Sequence, residues 1–191
     1  MLPVCSEDVP VDAVQTSVLM YATSQGGELL SELVGVGGEA DSSTRLYTSD
    51  VRLGDHEFYK HVNGALISDS TNALPVLAKY LQKTNHFLLA TAHAGHTVYR
   101  GIDLAGHWAD YPPGGRIRLA SYTSASADRA IAAGFGPHLI EIEIPPNYGG
   151  ARDIRALSEF PDEAETLFVP YSLFEVVRVD QNEGVVRLRA V

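Results

Sequence analysis

Cysteine is almost missing: Cys5 is the single one among 191 residues, so the fold is expected to hold without an internal disulfide and to tolerate a reducing compartment. No stretch approaches the ~20 apolar residues that a bilayer-spanning helix needs, and the residues after Met1 lack the basic start and apolar centre of a cleavable secretory signal. The expectation is a soluble chain that acts in a cytosol, with no membrane partner. Basic charge is also scarce, with 14 Lys and Arg against 24 Asp and Glu and a formal net charge of −10. No basic run overrides that balance, so a nucleic-acid partner is disfavoured and a protein or small molecule is favoured. Internal repeats and low-complexity tracts are absent as well.

What is present is enough apolar material, 45% of residues, for one full core. Between Val9 and Val34 apolar residues recur at helical intervals, interrupted at Gln25-Gly26-Gly27, which predicts two helices with a break. The Gly- and Ser-rich segment from Gly35 to Ser43 reads as a linker, with a boundary near Asp41. This divides the chain into an N-terminal helical extension, 1–40, and a catalytic segment, 41–191. Further helices are predicted over His56–Leu66 and from a cap at Thr71 or Asn72 to Leu81, with Pro75 in the tolerated first turn. From Thr97 the pattern turns to strands: Thr97–Gly101, Arg116–Tyr122, His138–Ile144, and a hairpin of Ser172–Asp180 with Val185–Val191. A short helix is expected over Ser126–Ala133. Helices first and strands afterwards make the fold class α+β. In that order Gly134-Phe135-Gly136, with a helix before it and a strand after, is the reverse of a dinucleotide-binding turn.

The chemistry-bearing residues fall on three strand-like segments. Arg100 ends Val98-Tyr99-Arg100, Ser124 and Ser126 flank Ala125, and Glu163 and Glu165 flank Ala164. If the run from Ala164 is a strand, its period of two places both carboxylates on one face, ~7 Å apart. Each piece alone has an ordinary explanation: a surface ion pair for Arg100, a helix N-cap for Ser126, and a solvated edge for the carboxylates. Phe135 and Tyr59 alone would be core aromatics, and Asn63 a buried hydrogen-bonding residue.

Together, in this order, the segments resemble the R-S-E class of mono-ADP-ribosyltransferases, in which an Arg on one strand, a Ser-x-Ser on a second and an E-x-E on a third form the site. Phe160 three residues before Glu163, Phe135 after the short helix, and Tyr59 four residues before Asn63 match further family positions. The resemblance runs from about Thr44 onward and implies helices followed by a mixed, largely antiparallel β-sandwich. It implies NAD+ as co-substrate and no metal. Glu165 would face the ribose, Ser124 would fix Glu165, and Arg100 would hold the pyrophosphate. Gly101 would let the backbone approach the carboxamide, and Phe135 would pack on the nicotinamide. Tyr59 and Asn63 would complete the NAD+ side. Glu163, rather than Gln, implies arginine as the acceptor, with Glu159 and Phe160 touching the target protein.

The implied protein is an arginine-specific toxin or effector of bacterial type, delivered into a target cell, whose residues 1–40 could dock an immunity protein or chaperone. Two alternatives stand beside it: an NAD+ glycohydrolase using water, and a non-catalytic module that keeps the fold. His93, His96 and His107 have no spacing that completes a zinc site, and Trp108 and Tyr111 fit either a core anchor or a rim contact.

Overall fold

In the computed structural model, residues 40–53 and 55–191 are described. The helices expected between Val9 and Val34 lie outside them. Contacts divide the chain into two compact units, a helical one whose described residues are 40–87 and 157–159, and a sheet unit of residues 88–156 and 160–191.

The helical unit opens with α1, Ala40–Tyr47, so Asp41 lies inside a helix. A small antiparallel ribbon, β1 (Arg52–Leu53) and β2 (His56–Glu57), leads directly into α2, Phe58–Ile67. The apolar stripe of α2 buries Phe58, Val62, Ala65 and Leu66. Helix α3 runs from Ala73 to Leu89, one helix well past the expected end at Leu81. Its entry is capped by Ser70, whose Oγ accepts from the Ala73 amide at 3.1 Å, rather than by Thr71 or Asn72. Phe58 meets Tyr80 edge-on with centroids 5.0 Å apart, tying α2 to α3 through two fully buried rings.

The sheet unit holds β3 (His96–Ile102), β4 (Arg116–Leu119), β5 (Thr123–Ser126), α4 (Arg129–Ala133), β6 (His138–Ile144), β7 (Ala151–Asp153), β8 (Glu165–Phe168), β9 (Ser172–Asp180) and β10 (Val185–Ala190). Hydrogen bonding connects the strands in the order β4-β9-β10-β6-β3-β5-β8-β7. All pairings are antiparallel except β10 with β6, which makes the sheet mixed. Helices with a mixed sheet confirm the α+β class.

The eight strands form two groups. β3 pairs with β6 continuously from His96↔Ile144 to Ile102↔His138, yet it joins β5 through the one pair Tyr99↔Ser126. At ~4.8 Å per strand, β9 and β8 would lie far apart in a flat sheet. Instead Phe168 of β8 and Phe174 of β9 touch with centroids 5.4 Å apart, both fully buried. The sheet therefore folds over at the β3–β5 joint, and the two groups face each other as a sandwich.

The run Arg116–Tyr122, expected as one strand, is interrupted at Ala120–Tyr122. Its first part pairs with β9 at one end of the order, and the segment after it supplies β5 on the other side of the joint. One apolar run thus serves both groups, because the chain turns between them.

Candidate active site

Glu165 is the first residue of β8 and is only 7% exposed. The register sets Ser126 opposite Glu165 and Ser124 opposite Leu167, so Ser124 is the diagonal neighbour of Glu165 on β5. The Ser124 side chain hydrogen-bonds the Glu165 carboxyl. Arg100 lies on β3, the strand next to β5, and its Nη1 donates to the Ser124 carbonyl at 2.9 Å. Arg100, Ser124 and Glu165 thus occupy three adjacent strands, linked through Ser124. Burial pushes the Glu165 carboxyl above the ordinary carboxylate range, and the negative charge of Glu163 adds to it. The Ser124 hydrogen bond and the Arg100 charge oppose that rise.

Glu163 does not sit on the strand. Pro161–Glu163 form a short 3-10 turn with Pro in its first position, and Ala164 follows in the left-handed conformation at φ 49, ψ 46. The period-two expectation for the two carboxylates therefore fails: Glu163 is aimed by a turn and Glu165 by a strand. The turn is pinned by three hydrogen bonds. Ser126 Oγ donates to the Glu163 carbonyl at 2.6 Å, the Ala127 amide to the Ala164 carbonyl at 3.0 Å, and the Glu163 amide to the Phe160 carbonyl at 3.0 Å. Burial pushes the Glu163 carboxyl upward as well.

Ser126 is not the helix cap its position suggests. Asp128 caps α4, accepting from the Ala130 and Ile131 amides, while Ser126 Oγ accepts from the Asp128 amide at 2.9 Å and holds the carboxylate turn. The Asp before the apolar Ala130-Ile131 was the available sequence signal for that cap.

Phe135 follows α4 and is 64% exposed, and Phe160 is 41% exposed at the entry to the 3-10 turn. Both rings are offered to solvent, unlike the core aromatics. Gly101 has an additional structural reason to be glycine: a Cβ there would fall on the carbonyl oxygen of Ala132 in α4. Gly136 has the same reason, since its Cβ would lie 2.6 Å from backbone atoms of Ile102. These two glycines let α4 and the loop after it press against β3, which carries Arg100.

In the helical unit, Asn63 is buried on α2 and its Nδ2 donates to Tyr47 Oη at 2.9 Å. Tyr59 is half-buried with its ring 5.9 Å from that of Tyr47. Tyr47 is the unforeseen member, since a lone Tyr near a helix end carries no distinguishing pattern. Glu159 is exposed and belongs by contacts to this unit, while Phe160 belongs to the sheet unit.

Tyr111 is a core anchor at 2% exposure, and Trp108 is half-buried with its ring edge-on to His138. The rings of His93 and His96 lie tilted to each other with centroids 4.4 Å apart, and His107 pairs with Asp110. Among the described residues no group of three or more His, Cys, Asp or Glu could hold a metal ion, and no helix is long and apolar enough to cross a membrane.

Among solved structures, the chain resembles HopU1, an ADP-ribosyltransferase of Pseudomonas syringae pv. Tomato, at TM-score 0.65 and 18% identity, over 100% of this chain and 91% of that one. It resembles Plx2a, an ADP-ribosyltransferase toxin of Paenibacillus larvae, at TM-score 0.63 and 19% identity, over 93% and 96%. These likenesses establish an ADP-ribosyltransferase fold. In sequence, the erythroblast NAD(P)(+)–arginine ADP-ribosyltransferase of Gallus gallus is 29% identical over 137 residues, 67% of this chain and 44% of the relative. The chain thus spans under half the length of that curated relative. The family described as NAD:arginine ADP-ribosyltransferase matches residues 43–190, which contain every candidate site residue from Tyr59 to Glu165. By that match, the chain belongs to the NAD:arginine ADP-ribosyltransferase family.

Proposed function

We propose that this chain cleaves NAD+ between nicotinamide and ribose and transfers the ADP-ribose to an arginine of a target protein, as a delivered toxin or effector. The observation that carries the reading is Glu165, a carboxylate that burial disfavours, that the Ser124 side chain hydrogen-bonds and whose charged form the Arg100 guanidinium favours. A buried negative charge is costly and is retained where positive charge develops against it.

Breaking the C1′–N bond sends its electron pair to the ring, which leaves as neutral nicotinamide, and the ribose becomes oxocarbenium-like. Glu165 stabilises that centre from its buried position and accepts a hydrogen bond from the sugar. Arg100 Nη1 donates to the Ser124 carbonyl, which fixes the guanidinium, and a guanidinium is suited to a pyrophosphate. Phe135 offers its ring to the nicotinamide. Nitrogen of the incoming guanidinium then bonds to C1′ and loses its proton. Glu163, whose carboxyl burial raises toward a useful proton acceptor, takes that proton. Glu159 and Phe160 meet the target surface. In this reading residues 41–191 are the catalytic segment and need no metal.

The test is incubation with labelled NAD+ and a cell lysate, followed by mapping of modified residues by mass spectrometry. Arginine adducts that vanish with Glu163→Gln, while nicotinamide release persists, are expected. Nicotinamide release without labelled protein would make the chain an NAD+ glycohydrolase, and no release at all would make it a binding module.

A further inference from the structure

The two carboxylates are separated by Ala164, whose backbone does something that an extended residue does not. In a strand, successive carbonyls point to opposite sides. Here the carbonyls of Glu163 and Ala164 are both taken by the same short segment, by Ser126 Oγ at 2.6 Å and by the Ala127 amide at 3.0 Å. Immediately beyond, the Glu165 carbonyl accepts from Ile154 at 2.9 Å, and Glu165 pairs with Ser126 in the β5–β8 ladder. The left-handed backbone of Ala164 is what lets the chain leave the 3-10 turn with two carbonyls on one side and enter β8 in register. For a residue with a Cβ that conformation is unfavourable, and it persists where surrounding hydrogen bonds over-determine it.

From this geometry we infer that Ala164 is a positioning residue. Its left-handed conformation sets where Glu163 stands relative to Glu165, and so fixes how the site divides ADP-ribose between arginine and water. The inference rests on the proposed assignment of Glu163 to the acceptor. Glu165 is held independently by its ladder and by Ser124, so disturbing Ala164 displaces the acceptor carboxylate first. A residue intolerant of positive φ at 164 straightens the turn, moves Glu163 and leaves water as the better nucleophile.

The experiment compares Ala164→Asn, Ala164→Ser and Ala164→Thr, measuring ADP-ribosylation of free L-arginine and nicotinamide release without acceptor. Asn tolerates the left-handed region, Ser less so, and the β-branched Thr least. The ratio of transfer to hydrolysis is expected to stay within about twofold for Asn and to fall about tenfold or more for Thr. Ser should lie between, with hydrolysis changing less than transfer throughout. Side-chain bulk alone predicts a different order, with Ser mildest and Asn no better than Thr, and that order would overturn the inference. Equal loss of both activities across the series would overturn it too. If Thr does not fold, the Ser-to-Asn order alone decides. Glu163→Gln separates the two claims: an unchanged ratio there defeats the acceptor assignment, whatever the Ala164 series shows.

Discussion

The strands β4-β9-β10-β6-β3 and the strands β5-β8-β7 follow different rules. In the first group the ladders are long and alternate: Ile140, Ile142, Val186 and Leu188 are buried, and Arg187 and Arg189 pair across to Glu141 and Glu143 on the water side. In the second, β8 is buried at each of its positions, its first residue is a carboxylate, and the chain enters it through a left-handed alanine. Ser124 and Glu165 lie in the short group, and Arg100 of β3 reaches them from the edge of the regular one. The long group supplies apolar burial of the ordinary kind, and the short group, packed on it through Phe168 and Phe174, can hold a charge that would be untenable in an isolated three-stranded sheet.

The largest test of that contrast is Glu165→Gln. Nicotinamide release should fall by roughly 1,000-fold, while the protein becomes more stable at neutral pH. The folded-state carboxyl is raised above its unfolded value, so its contribution to stability is complete below the ordinary Glu range near about 4.3 and is lost as pH rises through the folded value. Melting curves should therefore show Gln ahead by about 1–4 °C at pH 7, with the gain shrinking on acidification.

Next in size is Phe174→Ala, on the long group, expected to cost about 3–5 kcal/mol in urea unfolding. Phe168→Ala should cost a similar amount, and the double variant less than the sum, because the two rings share a contact. Full additivity would mean that the two groups are not braced through this pair.

Smaller is Ser124→Ala. Losing its hydrogen bond removes one influence that lowers the Glu165 carboxyl, so the acid limb of the pH–rate profile should move to higher pH, with kcat/KM down about 10- to 100-fold. An unchanged limb would reduce Ser124 to a structural residue. Smallest is Arg187→Ala, which removes an exposed pair with Glu141. Activity should be unchanged, and the small loss of melting temperature should disappear in 1 M salt.

Much of this division was legible in the chain. The β6 run and the β9–β10 hairpin announce themselves by alternation or apolar continuity, since long half-buried strands impose a period on sequence. Arg100, Ser124 and Glu165 were legible through their order along the chain, and the structure links them around Ser124. What was not legible lies where the backbone departs from a period. The left-handed state of Ala164 leaves no signature, because glycine or asparagine would have marked it and alanine does not. Pro161-Asp162 before the carboxylates was the one hint of a turn. The break at Ala120–Tyr122 was hidden because both flanking strands need apolar residues. Ser126 was ambiguous for a physical reason: a serine two residues before a capping Asp can serve either side, and only the turn at Glu163, far along the chain, decides between them.

The position of β10 carries a consequence for how the molecule comes into being. Residues 185–190, which follow every candidate catalytic residue, lie between β9 and β6 and supply the parallel pairing of the sheet. During synthesis, a ribosome that has passed Glu165 has made Arg100, Ser124 and both carboxylates. At that moment β6 still has no neighbour on the side away from β3, and β4 waits for β9. Closure depends on contacts between residues far apart in sequence, which form slowly and late. A nascent chain therefore cannot complete this sheet until residues 185–190 have been made and inserted between β9 and β6.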